Sequence, residues 1–205
     1  MDSQLTLGSA ITDSCTRYAK AHKKSVFIGY NTRYGGGMYG TLKGVAESQL
    51  LETPVCENLM MSMAFGMALE GYRPVVCFER HDFLLLALDA LVNHIDKMPW
   101  ISGEQYRLPI IIRAIVGAKE PLNPGPQHTQ DYTRALRDML HHTEVYEPMS
   151  LWGLKRAWVE LPGKTLSGAV VIIEYKDRYK WVMRDGHRTF QPETATNPLN
   201  PTGAR

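Results

Sequence analysis

Four short apolar runs, set between segments of helical pattern, constrain this chain more than any other feature. They lie at residues 26–30, 73–78, 108–116 and 169–174 and are dominated by Val, Ile, Leu and Phe. Runs this short, bounded by Gly, Asn or Pro, read as strands covered on both faces rather than as helices. Between them apolar residues recur at helical spacing: Ile11, Cys15 and Tyr18 in residues 7–21, and Leu59, Met63, Phe65 and Leu69 in the segment that follows Glu57. The longest such pattern is residues 82–98, with Phe83, Leu86, Ala90, Leu91, His94 and Met98 along one side. Weaker patterns predict helices over 132–141 and 150–161 and a short strand over 144–147. Strands alternating with helices predict a doubly wound α/β domain, with a mostly parallel sheet and helices on both faces. Sheets of that kind take ligands beyond the carboxyl ends of their strands. The chemistry is therefore expected where the chain leaves those ends.

Composition narrows the function classes. The chain has 205 residues, 44% apolar and 21% charged, which suits one soluble domain of ordinary size. A formal charge of +2 without any basic run interleaved with aromatics gives no case for nucleic acid. No stretch approaches the roughly 20 apolar residues of a membrane span, and Met1-Asp2-Ser3-Gln4 does not open a signal peptide. Cys15, Cys56 and Cys77 are odd in number and far apart, which favours buried thiols in a reducing cytoplasm. Residues 1–176 are assigned to the α/β domain and 177–205 to a C-terminal hairpin and tail. Arg184-Asp185-Gly186-His187 supplies the hairpin turn, and 197–205 reads as frayed.

Two loops stand out at the predicted strand ends. Residues 31–40 hold four glycines, which suits either a backbone that must approach something closely or a flexible surface loop. Residues 117–129 hold three prolines, two glycines and His128, and structureless loops of that length are more often functional than not. Thr53-Pro54-Val55-Cys56-Glu57-Asn58 comes next in importance. Pro54 pushes its predecessor to extended geometry, so a strand or turn must precede it. Glu57 is then a lone carboxyl at the mouth of a helix, 59–69, that reads as apolar almost all round. A first-turn Glu is also a common helix-dipole partner, so Glu57 by itself decides nothing. Met60, Met61, Met63 and Met67 are expected to be core packing.

The order of the motifs carries more. Thr53-Pro54-Val55-Cys56-Glu57 is followed by Gly71-Tyr72-Arg73-Pro74-Val75, then Asp82-Phe83, then Gln127-His128-Thr129-Gln130. This set resembles the thiamine-diphosphate-dependent enzyme family. Within it, the likeness is to the transketolase-like pyrimidine-binding domain that forms the N-terminal half of the β subunit of 2-oxo-acid dehydrogenase decarboxylase components. The resemblance implies that Glu57 hydrogen-bonds a ring nitrogen of the coenzyme's aminopyrimidine and so activates the thiazolium carbon. It implies that Phe83 packs on that ring and that His128 faces substrate. His81 departs from the family pattern, which has a small residue there; it could line the substrate pocket as an acid, base or donor, or cap a strand end. Tyr30-Asn31-Thr32 departs too, standing where the family carries acidic residues.

What is missing is also informative. The family's G-D-G with a downstream Asn, which holds Mg²⁺ and the diphosphate, has no counterpart here, and no residue of this chain is assigned to a metal. The resemblance therefore implies one subunit of a split enzyme that is active only with a diphosphate-binding partner chain, in an α2β2 heterotetramer. The implied reaction is decarboxylation of a 2-oxo acid with acyl transfer or carboligation to an acceptor. The alternative is a non-catalytic regulatory or binding subunit that keeps the fold. The near-wholly apolar 59–69 helix is expected to turn its Met-rich side to another subunit.

Overall fold

The protein, here a computed structural model, is described for residues 5–34, 37–183 and 189–192. Its strands are β1 (Ser25–Gly29), β2 (Leu50–Glu52), β3 (Arg73–Phe78), β4 (Ile111–Val116), β5 (Glu144–Tyr146) and β6 (Val170–Tyr175). They form one sheet in the order β2-β1-β3-β4-β6-β5, and every pairing in it is parallel. The doubly wound expectation holds. Because successive side chains point to opposite faces, each strand feeds two cores. Ile28, Val76, Phe78, Ile112, Ala114, Val171 and Ile173 face one side, while Phe27, Val75, Cys77, Ile111, Ile115, Val170 and Ile172 face the other.

Helices α1 (Leu7–Ala21) and α5 (Leu151–Lys155) cover the second face. The start of α1 is fixed by a capping box, in which the Thr6 hydroxyl accepts from Ser9 N–H and the Ser9 hydroxyl from Thr6 N–H. The first face is covered by α2 (Glu57–Leu69), α4 (Thr133–Met139) and the helical segment that begins at His81. That segment differs from the single helix expected over 82–98. It runs as tight turns over His81–Ala87, a wide helical stretch over Asp89–Ile95, and then a new start at α3 (Met98–Ile101). Pro99 explains the break: it has no N–H for the preceding turn and its ring crowds the carbonyl four residues back, but it suits the first turn of a fresh helix. The Asp96 carboxylate is spent on tying this region to β5, accepting N–H bonds from His141, His142 and Thr143 at 3.1, 2.9 and 2.8 Å.

The methionine expectation is met by Met60 and Met61, which are fully buried. Burial all round is not met within the single chain. Leu59 and Leu69 are 45% and 39% exposed, and Met63 and Phe65 are half-buried, so one apolar face of α2 stays open. Beyond β6, β7 (Val182–Met183) and β8 (Phe190–Gln191) pair antiparallel; the expected turn at 184–187 and the tail at 197–205 lie outside the described residues.

Candidate functional site

The site is built where β1, β3, β4 and β6 end. The chain turns away from β1 at Asn31, whose φ of 58° lies in the left-handed region that Asn tolerates better than most residues. Glu52, paired beside Gly29 at the end of β2, holds this turn. Its carboxylate accepts N–H bonds from Asn31, Thr32 and Arg33 at 2.7, 2.8 and 2.9 Å and the Thr32 hydroxyl at 2.8 Å. Burial would raise the Glu52 pKa, but the donors from Arg33, Thr32 and Asn31 outweigh it and hold the group below the usual carboxylate range. The carboxylate at this strand end thus arrives from β2, not from the Tyr30-Asn31-Thr32 segment itself.

Tyr30 points into the first core, and its hydroxyl is buried without a hydrogen-bond partner among the described residues. Burial, then the Glu57 and Glu79 carboxylates, push its pKa up, so it stays a protonated phenol beside Glu57. Glu57 opens α2 and is only 4% exposed. None of the described residues hydrogen-bonds its carboxylate. The residue is nearly enclosed, yet its carboxylate oxygens still reach solvent, unlike the wholly buried Tyr30 hydroxyl.

α2 packs on the His81–Ala87 turns, which carry Phe83 to a cleft of about 530 Å³. The opposite wall is the short turn Pro126–His128 inside the long proline-rich loop. Phe83 and His128 meet edge to face, with ring centroids 5.4 Å apart and planes at 83°. Asp82 ties the two walls together, its Oδ1 accepting the Gln130 N–H at 3.1 Å. Gly117, just past β4, lets the loop close: a Cβ there would stand 2.0 Å from the His128 carbonyl oxygen and 2.7 Å from Arg80 Nη1. Gly117→Ala is therefore expected to push the 126–128 turn outward and separate Phe83 from His128. The loss of the strong ring-current shift on the His128 proton signals would report it, and an unchanged spectrum would count against this contact.

His81 is placed differently from its neighbours in sequence. Its residue is wholly buried, it stands edge to face with Tyr132 at 6.0 Å, and its Nδ1 lies 3.9 Å from Asp131 Oδ1. Burial lowers its pKa, with Asp131 and Asp82 pulling the other way, so the imidazole is neutral. It packs under Tyr132 and is not among the residues that line the cleft holding Phe83 and His128. The structure thus brings Phe83 and His128 together and seats Glu57 on the adjoining helix. Tyr30, Asp82 and Gly117 were not singled out from sequence. The Asp of the Asp82-Phe83 pair was the available signal, while Tyr30 and Gly117 gave none beyond standing at strand ends. A larger cleft of about 630 Å³ lies across the sheet, between α1 and α5, and holds none of the expected site residues. No grouping of His, Cys, Asp and Glu suited to a metal ion occurs among the described residues.

With this geometry in place, comparison with known proteins is decisive for the family. The family described as transketolase, pyrimidine-binding domain, matches residues 3–180. The chain belongs to that family. It is 33% identical over 132 residues to the pyruvate dehydrogenase E1 component subunit beta of Staurastrum punctulatum, covering 62% of this chain and 40% of that protein. It is 31% identical over 134 residues to the subunit of the same name in Rickettsia conorii, covering 63% and 40%. A chloroplastic E1 subunit beta-3 of Arabidopsis thaliana is 35% identical over 107 residues, covering 50% and 26%. The chain therefore matches well under half the length of these relatives. Among solved structures, a split-gene transketolase described as an inactive β4 tetramer superposes with a TM-score of 0.63. It covers 95% of this chain and 55% of that one at 14% identity, a likeness of fold. As a transketolase pyrimidine-binding domain, the chain has Phe83 and His128 on one cleft and Glu57 at the start of the helix that packs against the Phe83 wall. No helix among its described residues is long and apolar enough to cross a membrane.

Proposed function

We propose that this chain is the pyrimidine-binding subunit of a split thiamine-diphosphate-dependent enzyme acting on a 2-oxo acid, active only with a partner chain. The observation that carries the reading is Glu57, a residue only 4% exposed whose carboxylate has no hydrogen-bond partner among the described residues. A group in that state has its hydrogen-bonding capacity free for a ligand, and an aminopyrimidine offers a ring nitrogen and an amine that fit it. When bound, the coenzyme supplies an electron sink for breaking the bond beside a carbonyl. Glu57 would hydrogen-bond that pyrimidine ring nitrogen. Tyr30, a buried neutral phenol beside it, offers a donor to the same place. Phe83 gives an aromatic wall, a contact worth about 0.5–1.5 kcal/mol beyond its area. His128, edge-on to Phe83, is set to hold or move a proton at the substrate.

No grouping of His, Cys, Asp and Glu suited to a metal ion occurs among the described residues, and we assign Mg²⁺ and the diphosphate to the partner, which would complete an α2β2 heterotetramer. The open face of α2, with Leu59, Phe65 and Leu69, and the exposed Leu86, Trp100 and Ile101 are the apolar surface such an assembly would cover. Decarboxylation with acyl transfer or carboligation is the reaction assigned, in a reducing, cytoplasmic setting that suits three free cysteines. Of these, Cys15 and Cys77 are buried as expected and Cys56, next to Glu57 in an exposed stretch, is not. A non-catalytic binding or regulatory subunit would have no need to keep Glu57, Phe83 and His128 together.

Calorimetry tests the split site. The isolated chain is expected to bind thiamine diphosphate weakly and without dependence on Mg²⁺, and the partner to restore tight, Mg²⁺-dependent binding. Tight Mg²⁺-dependent binding by the isolated chain would refute the reading.

A further inference from the structure

Two cations at the carboxyl end of the sheet have no counter-ion. Arg80 follows β3 and Lys176 follows β6, and both are half-buried. Among the described residues neither side chain makes a hydrogen bond, and neither has a carboxylate oxygen within 4.0 Å. Charges taken partly out of water are normally paired, so two unpaired ones at a strand-end cluster call for an explanation.

Their placement gives one. β3 and β6 flank β4, so the two residues rise from strands about 10 Å apart, two strand spacings. Between them β4 ends at Gly117, which contributes no side chain, and the Arg80 guanidinium lies over that glycine beside the His128 carbonyl. Lys176 is held in position by two rings, its Nζ 3.8 Å from the centroid of Tyr39 and 4.6 Å from that of Tyr179. Lys176 feels Arg80: burial first, then the neighbouring guanidinium, lower its pKa, with Glu79 and Glu174 opposing and Lys180 adding to the repulsion. Neither carboxylate closes the gap. Glu174 is taken by Arg113 and Tyr179, and Glu79 accepts from Asn31 Nδ2 at 2.9 Å.

We propose that Arg80 and Lys176 form an anion subsite that receives a carboxylate or phosphoryl group of the substrate, next to the His128 wall of the cleft. The planar guanidinium offers a two-pronged fork to such a group and the ammonium a point charge, a combination suited to both anions. The subsite rests on the function proposed above only for what the anion is attached to: the acid end of the 2-oxo acid, or a phosphorylated acceptor.

The test uses the full chain without partner or coenzyme, titrated separately with inorganic phosphate and with pyruvate while the Arg80 Nε–H and Lys176 side-chain signals are followed by NMR. Saturable shifts in both residues, weakened by added salt, are expected. Arg80→Gln and Lys176→Gln should each weaken binding by about tenfold or more, with Lys176→Arg retaining most of it. The melting temperature of each variant, and retention of binding by Lys176→Arg, separate lost binding from lost folding. Preference for phosphate assigns a phosphorylated substrate, and preference for pyruvate assigns the carboxylate. Absence of saturable shifts with both probes, or a double variant that binds like the parent chain, overturns the subsite. None of these readouts involves thiamine diphosphate, so failure of the coenzyme reading and failure of the subsite are told apart.

Discussion

Glu57→Gln, in the complex of this chain with its partner, is expected to slow deuterium exchange at the coenzyme's thiazolium carbon by about 10²–10⁴-fold, the usual contribution of a positioned acid–base group. Gln keeps the size of the side chain and can still hydrogen-bond, so coenzyme affinity should change little. What it cannot do is hold or release a proton. The substitution exchanges one side-chain oxygen for a nitrogen of similar size, so the domain should stay folded. Quenched-flow exchange followed by NMR reads the effect. An exchange rate equal to that of the parent complex would strip Glu57 of its assigned role, whatever the overall activity did.

The largest stability effect is expected on the other side of the sheet. Arg113 on β4 is fully buried and donates to Glu174 on β6 at 2.7 and 2.9 Å and to the Thr41 hydroxyl at 3.0 Å. The Tyr179 hydroxyl also donates to Glu174. Cys15 and Cys77 lie beside this pair, but burial pushes their thiols up to about 12 and about 11, so they remain neutral and supply no counter-charge. Arg113→Met would leave the Glu174 carboxylate buried with the phenol as its principal donor. Breaking a buried pair in this way costs about 3–5 kcal/mol, a large share of the roughly 5–15 kcal/mol by which domains are stable. Arg113→Met with Glu174→Leu should recover much of that loss, because no isolated charge remains. Urea unfolding of the three variants decides it. A single variant within about 1 kcal/mol of the parent would mean that the pair does not hold the sheet in this way.

Much of the fold was legible because the signals are local. Strands β1, β3, β4 and β6 are short apolar runs with punctuation at their ends, and α1 and α2 carry a helical period, so each could be placed from its own residues. β2 could be inferred only as an extended segment required before Pro54, since three half-buried residues at a sheet edge carry no pattern. The 82–98 helix was over-extended because its apolar period continues past the point where Pro99 enforces a new start. His81 shows the limit for the site. Sequence placed it one residue from Asp82 and two from Phe83, but the tight turn over His81–Ala87 sends its ring inward to Tyr132 and Phe83 outward to the cleft.

The order of motifs along the chain, from Thr53 to Gln130, was enough to indicate the family and to single out Glu57, Phe83 and His128, because each motif is a few adjacent residues. What only the tertiary structure decided is which residues meet across strands. Tyr30 stands beside Glu57, Gly117 admits the His128 loop, and Arg80 and Lys176 are brought to strand ends on either side of β4, although 96 positions separate those two in sequence. These encounters depend on β3, β4 and β6 lying side by side in that order, and strand order is set by the packing of whole elements. No local stretch of sequence encodes it.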